Sequence, residues 1–520
     1  VAVVDDQRVV WAQGYGFADI VNRVPASDNT LYRAGSVSKL FTAALVLQGV
    51  EQGKWRLDEP VSKYLPRFHP AGPNTQDITL RQVMTHHAGL PSDRLQGMFT
   101  TQPQPFTQVV ETLNSEPLAY TPGQVFAYSN LGFSLLGTVV QADAGKPFEQ
   151  TMQHSLLAPL GMDDSFFSAS PVNSDGMAKA YRGNEEAPEP ALRDIPAGGL
   201  ITSVNDMTRF IQMVFANGRS GANQVLTPQT IAAMLRAQNT QSVLDMGFQV
   251  GLPWMLSTLG SNSIQGAGPV AHHSGATIRH RSQLYLLPRH KLGIVVLANT
   301  DTATGVVDKI AVETLKLALQ AKAGIVQPPF QRPAWADAAL TADEAQRLAG
   351  VYTSVAGPLA IRANGNKLAV EVGGQTLALR KRVDGLFGLD FSLLGLVSIN
   401  LGSLGDTGFS VRQFEGRQLL IGSVLGQNML LGERLKPPGD LGVWRHRLGD
   451  YKISNPDAIS EGYQIRLAEE KAYLVVEITH PKETMDTGKH VLHPVSDHRA
   501  LVLGSVADAG ESLHVVQRDG

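Results

Sequence analysis

The hydrophobic period of this chain changes at one proline-stiffened stretch, Val326-Gln327-Pro328-Pro329-Phe330-Gln331-Arg332-Pro333, and the two sides cannot share one architecture. Beyond it the period is two. Leu359 and Ile361, then Asn364-Gly365, then Leu368, Val370 and Val372, then Gly373-Gly374, then Leu377 and Leu379 read as a meander of hairpins. A second linker, Leu435-Lys436-Pro437-Pro438-Gly439, precedes another β-rich segment, with Tyr463, Ile465, Leu467, Tyr473 and Val475 on alternating positions. Both segments begin alike, with Gly350-Val351-Tyr352 and Gly449-Asp450-Tyr451. That echo predicts two copies of one small β-barrel; the alternative is one irregular β-domain broken by a loop. The expected units are residues 1–325, a linker at 326–340, and β-barrel-like domains at 341–436 and 437–520. The β-domains are expected to fold apart from the first unit and to shape access to it rather than its chemistry.

The first unit mixes periods. Val1 to Val4 and Val9 to Ala12 flank Asp5-Asp6-Gln7-Arg8 as a hairpin, and Arg281 to Leu287 and Leu292 to Ala298 are alternating or fully apolar strands split by Pro288-Arg289-His290-Lys291. Helical spacing marks Leu40–Val50, Ile78–Met84, Phe106–Leu113, Leu131–Gln141, Met207–Ala216 and Val306–Ala321. Strands at both ends with helices between predict an α/β layer whose sheet joins the two ends of the unit.

At 520 residues the chain exceeds one core. A formal charge of -3 gives no basic footprint, so nucleic acid is not an expected partner. The absence of cysteine excludes disulfides, thiolate metal sites and a cysteine nucleophile. No apolar run reaches the roughly 18 residues of a membrane span. The chain opens on Val1-Ala2-Val3-Val4, already strand-like and without methionine, so the true start, with any signal peptide, is expected to lie upstream.

Three stretches carry candidate chemistry. In Gly35-Ser36-Val37-Ser38-Lys39, a serine and a lysine three apart at a helix mouth lie about one turn apart on one face. The helix N-terminus suits an oxygen that must carry charge, and a neighbouring deprotonated amine can take its proton. The plain alternative is an N-capping serine with a solvated lysine. In Tyr128-Ser129-Asn130, a loop entering a helix, Tyr128 can shuttle a proton and Asn130 can donate to a substrate carbonyl or meet Lys39; otherwise the pair is a buried tyrosine and a helix cap. In His272-His273-Ser274-Gly275-Ala276, a glycine at a strand edge admits a substrate backbone, and the next N–H can form half an oxyanion hole beneath His273. Zinc is not expected: adjacent histidines on an extended chain face opposite ways, and neither His-x-x-x-His nor His-Glu-x-x-His occurs.

The order Ser-x-x-Lys, Tyr-x-Asn, His-x-Gly resembles the serine β-lactamase and penicillin-binding-protein superfamily, in its class C and DD-peptidase-like branch. Thr85-His86-His87-Ala88-Gly89-Leu90-Pro91 and Pro196-Ala197-Gly198-Gly199-Leu200 also look like that family, and the likeness covers about residues 1–325. It implies an α/β (α+β) domain with a mixed, largely antiparallel sheet, followed here by two smaller all-β domains in a layout similar to D-aminopeptidase. It also implies an acyl-enzyme on Ser36, with Lys39 and Tyr128 managing the proton and the N–H groups of Ser36 and Ala276 holding the oxyanion. Which of Lys39 and Tyr128 is the base stays open. No cofactor is implied, and export to the periplasm or outside the cell is.

Histidine in the third motif is similar to DD-peptidases, D-aminopeptidases and family esterases, with small peptides, amides or esters as substrates. β-Lactam hydrolysis and a slow penicillin-binding sensor or scaffold are the alternatives. His273 is expected either to change charge near neutral pH and orient a carboxylate, or to be a neutral wall. After Gly275 the family tends to continue with glycine and an aromatic, whereas this chain has Ala276-Thr277-Ile278-Arg279-His280. Arg279 is the candidate for a substrate carboxylate; its alternative is a solvated side chain.

Overall fold

The computed structural model describes residues 1–71, 75–170, 176–258, 262–329, 335–354, 357–372, 375–390, 392–393, 397–398, 407–424, 427–437, 439–453, 462–481, 488–504 and 510–516. Linker residues 330–334, residues 373–374, where a hairpin turn is expected, and residue 438 lie outside them.

Five antiparallel strands organise the first unit: β1 (Ala2–Asp5), β2 (Arg8–Ala12), β3 (Ala271–Ala276), β4 (Arg281–Leu287) and β5 (Leu292–Ala298). Their spatial order is β3-β4-β5-β1-β2, with Ala2 opposite Val295, so the sheet joins the two ends of the unit as its strands predicted. Alternation assigns the faces. Ala2, Val4, Leu284, Leu286 and Val295 enter one core, and Val3, Tyr285, Leu287, Ile294 and Val296 enter another. Both faces of β1, β4 and β5 are dry while the edge strand β2 is exposed, which is why β5 and the Leu284 to Leu287 half of β4 read as apolar runs.

On the larger core lie helices α1 (Ser38–Glu51), α2 (Asn130–Ala144) and α3 (Val204–Phe215). Every residue of α1 from Ser38 to Leu47 is buried, so the helix that carries Lys39 is the axis of the core rather than an amphipathic cover. On the other face, α4 (Thr304–Ala323) lays down a stripe of Val307, Ala311, Val312, Leu315 and Leu319. Among the described residues no helix is long and apolar enough to cross a membrane.

Beyond the linker, eight strands from Gly350–Tyr352 to Gln427–Glu433 form one antiparallel meander. It closes into a barrel, because the Thr353 N–H donates to the Glu433 carbonyl at 2.9 Å and the Leu435 N–H to the Val351 carbonyl at 2.7 Å. Six further strands, from Gly449–Tyr451 to Ser512–His514, form the last sheet over Trp444. The Gly-x-Tyr echo has a structural basis: each first strand follows a helical turn, and each tyrosine hydroxyl donates to the carbonyl four residues back. Tyr352 reaches Leu348 at 2.9 Å and Tyr451 reaches Arg447 at 2.5 Å. The barrel is not free of the first unit, since its outward Leu419 and Ile421 pack with Val125 and Leu244.

Candidate active site

Ser36 lies in a single 3-10 turn, Gly35–Val37, that feeds α1. Gly35 has φ +52°, and a Cβ there would lie 2.6 Å from the Ala276 nitrogen. The turn therefore touches the end of β3 only because residue 35 has no side chain. Ser36 and Ala276 line one small cavity of about 110 Å³, together with Asp93, Asn130 and Phe99. A larger cavity, about 860 Å³, lies where the three units meet and is lined by none of these residues.

Ser36 is not a cap. No side chain caps this turn or α1; the hydroxyl of Ser38 instead donates to the Gly35 carbonyl at 2.6 Å and accepts from the Leu200 N–H at 2.9 Å. Nor is Lys39 solvated, being 0% exposed. Its Nζ donates to Ser36 Oγ at 3.1 Å, Asn130 Oδ1 at 2.6 Å and the Ala197 carbonyl at 2.9 Å. Burial pushes the Lys39 ammonium down to about 7, against the opposing pull of Asp93 and Asp194.

The facing wall is the loop before α2. The Tyr128 ring lies 4.9 Å from Lys39 Nζ and stacks on His86 at 4.2 Å. Burial raises the phenol well above its usual range, with a bond to the Ser36 hydroxyl pulling the other way. The helix cap is Ser129 rather than Asn130: Ser129 Oγ accepts from the Gly132 N–H at 2.9 Å and donates to the Pro91 carbonyl at 2.6 Å. Asn130 is thereby left for the site, accepting from Lys39 and donating from Nδ2 to both Asp93 oxygens at 2.9 and 3.1 Å.

Sequence reasoning noted the stretch from Thr85 to Pro91 but not its role. His86, at φ +62°, ends the short helix Leu80–Met84; its Nδ1 accepts from the Ser129 N–H at 3.0 Å while its ring backs Tyr128. His87 turns the opposite way, its Nε2 2.8 Å from Asp245, whose other oxygen accepts from the Phe126 N–H at 2.6 Å. Opposed orientation is what adjacent histidines on a bent chain allow, and among the described residues no cluster of three His, Cys, Asp or Glu could hold a metal. Gly89 completes the loop: a Cβ there would lie 1.9 Å from the Tyr120 carbonyl oxygen, so residues 119–120 approach only a glycine.

A serine bonded to a buried lysine of lowered proton affinity, a tyrosine over that lysine, and a strand end at the serine turn form one constellation, and the sequence profile described as Beta-lactamase matches residues 1–318. The chain belongs to the beta-lactamase family. Protein flp of Staphylococcus aureus (strain NCTC 8325 / PS 47) is 26% identical over 310 residues, 58% of this chain and 59% of its own length. This chain thus spans under two thirds of that relative. A Beta-lactamase of Pseudomonas fluorescens is 26% identical over 328 residues, 58% of this chain and 88% of its own. In fold, the chain is similar to SurE (TM-score 0.60, 23% identity, covering 84% of this chain and 94% of that one). It is also similar to the octameric penicillin-binding protein homologue of Pyrococcus abyssi (TM-score 0.52, 22% identity, 83% and 94%).

In this family member the third motif departs from a charged one. Burial, then repulsion from Lys39, pushes His273 down to about 3, so the expected charge change near neutral pH is corrected to a neutral ring. Its Nδ1 lies 2.7 Å from the Ser274 carbonyl and so carries the proton; Nε2 is buried with no partner among the described residues. Arg279 also needs correction. It is neither solvated nor in the cleft: it is 5% exposed, its Nη1 lies 3.2 Å from Asp301, and its N–H donates to Glu189 at 2.7 Å. The physical reason is the β3–β4 turn, 277–280, whose interior is filled by the Arg281 guanidinium, donating to the Thr277 and His280 carbonyls at 2.6 and 2.8 Å. Arg279 is held at Asp301 and Glu189 and does not line the cavity that Ser36 lines.

Proposed function

We propose that the chain is a serine hydrolase working through an acyl-enzyme on Ser36, with small peptides, amides or esters as substrates and D-amino-acid peptides first among them. The observation that carries the reading is Lys39. An amine 3.1 Å from Ser36 Oγ, with its proton affinity lowered to about 7, is in good part free base at neutral pH. Lys39 takes the hydroxyl proton as Ser36 Oγ bonds to the carbonyl carbon, and the oxyanion forms between the N–H groups of Ser36 and Ala276. Collapse expels the amine or alcohol, which leaves with a proton. Tyr128, shifted upward, stays a phenol: it passes its proton to the leaving group as it receives the one Lys39 took from Ser36, so that both side chains end as they began. Water then repeats the sequence on the ester.

The charges around the cavity support an amine-bearing substrate over a β-lactam. A β-lactam carboxylate needs a cation, yet His273 is neutral and Arg279 is paired with Asp301. Asp93, by contrast, lines the cavity as an acid whose hydrogen-bond donors are the neutral Asn130 and Ser92; burial raises its proton affinity, so a substrate ammonium beside it would supply the charge that keeps it ionised. Asp194, the cavity's other acid, is matched by Arg193 at 2.7 Å. A structure of the fold neighbour SurE with D-Leu also supports the D-amino-acid preference.

Intact mass followed over time tests this with a fluorophosphonate, penicillin, and a D-amino-acid ester with its amine free or acetylated. The expected result is a transient adduct and product from the free-amine ester. A persistent adduct with every probe would mean a penicillin-binding sensor, faster turnover of penicillin than of either ester a β-lactamase, and no adduct at all the loss of the reading.

A further inference from the structure

We propose that the first β-barrel holds Tyr128 in its working position: outward-facing Leu419 and Ile421 clamp Val125 and Leu244, and the clamp acts through Phe126 and Asp245. The proposal rests on the acyl-enzyme reading, because the residue it positions is one that reading uses.

In the barrel strand Arg417–Val424, side chains alternate, with Leu420 in the barrel core and Leu419 and Ile421 on the outside. Outward residues of a small barrel normally meet water. Here Leu419 and Ile421 are both 0% exposed, because Val125 and Leu244 cover them, with Tyr120, Met246, Phe414 and Leu430 around the rim. Gln124 Nε2 donates to Glu415 at 3.3 Å at the edge of this contact.

Val125 and Leu244 each immediately precede a member of one buried network. The Phe126 N–H donates to Asp245 Oδ1, and Asp245 Oδ2 holds His87 at 2.8 Å and also receives Asn239 Nδ2. The Phe126 ring packs on His86 with centroids 5.5 Å apart and on Phe248 at 5.1 Å. His86 in turn accepts from the Ser129 N–H and stacks on Tyr128. From Ile421 to Tyr128 every link is thus a packed contact, a hydrogen bond or the peptide bond that joins Val125 to Phe126 and Leu244 to Asp245. Proton transfer depends steeply on placement, and a shift of about 1 Å can cost on the order of 10²-fold.

The test uses the full chain carrying Leu419→Ala and Ile421→Ala together, in the wild-type and Tyr128→Phe backgrounds, with acylation by p-nitrophenyl acetate as readout. In the wild-type background the pair is expected to slow acylation about tenfold with KM nearly unchanged. In the Tyr128→Phe background the same pair should cost less than about twofold, because the positioned group is already absent. Leu419→Met with Ile421→Val, which refills the contact, should restore the rate. If the alanine pair does not fold, Val125→Ala probes the same contact from the hydrolase side with the same expected pattern. Equal losses in both backgrounds, or no loss in the first, would overturn the clamp. A Tyr128→Phe variant as fast as wild type would instead remove the role of Tyr128, and the clamp with it.

Discussion

On one wall of the cleft, Ser36, Lys39 and Ala276 are fixed by main chain and by the central core. Gly35 abuts the end of β3, Ser38 ties its turn to Leu200, and Lys39 reaches the Ala197 carbonyl from a helix buried all round. On the other wall, Tyr128 and Asp93 sit on loops and Asn130 opens α2, and side chains hold the loop that carries Tyr128: His86, His87, Asp245 and the barrel's Leu419 and Ile421. The first wall is rigid by construction, whereas the second depends on a polar network, and such networks are costly when one member is removed. Ser36 and Lys39, the proposed nucleophile and base, are therefore expected to tolerate distant changes that the Tyr128 wall does not.

The largest expected effect lies on the rigid wall. Ser36→Ala should abolish covalent labelling altogether while costing at most about 1–3 kcal/mol, since the hydroxyl caps nothing but accepts from the buried Lys39. Labelling by a fluorophosphonate and a thermal melt check both halves. Labelling that survives would move the nucleophile elsewhere.

Next comes the pH profile. The Lys39 amine is free above about 7 and protonated below, so kcat/KM should fall about tenfold per pH unit beneath that value. Tyr128→Phe should lower the plateau by about 10²- to 10⁴-fold and leave this limb in place. Lys39→Ala should remove the limb with the activity; an unmoved limb in that variant would assign the base to another group. His273 stays neutral across this window and should add no limb of its own.

His87→Ala should separate the walls more finely. It leaves Asp245 buried without one of its donors, which costs about 1–3 kcal/mol, and it loosens Phe126 and hence Tyr128. Acylation should fall about tenfold while slow labelling of Ser36 persists, as gel fluorescence at long exposure would show. Complete loss of labelling would mean that both walls had collapsed.

The rigid wall was the legible one. Ser36 and Lys39 are three apart, Gly275 and Ala276 carry the strand edge, and the apolar run of β5 with Leu284 to Leu287 of β4 announces central strands buried on both faces. Local spacing specifies all of these. The supports of the other wall are not local: Phe126 meets Asp245 and His87 meets Asp245 across separations of 119 and 158 residues. The period-two pattern revealed the barrel strands but not that Leu419 and Ile421 face another unit, since Leu419-Leu420-Ile421 reads simply as apolar. The place of Arg279 is hidden for a related reason: nothing in the sequence announces that Glu189 and Asp301 receive its loop.

The smallest effect is expected where the last β-domain meets the first unit. There the contact is polar: Glu116 accepts from Arg499 and Ser512, both at 2.6 Å, and lies 3.0 Å from His514. Glu116 lies on the segment that continues to Val125, yet its partners are polar groups at a partly wet boundary rather than a closed apolar contact. Glu116→Gln keeps the shape and removes the charge, so it should cost about 1 kcal/mol or less in the melt. Acylation should stay within about twofold, because no bond runs from Glu116 to the His86 and Asp245 network that holds Tyr128. Ionic strength sharpens the contrast: 1 M salt should screen the Glu116 contact and mimic Glu116→Gln, while leaving the Leu419 and Ile421 contact as strong as before. Acylation slowed by salt in wild type but not in Glu116→Gln would show that the last domain also bears on the Tyr128 wall, and the two β-domains would then act together.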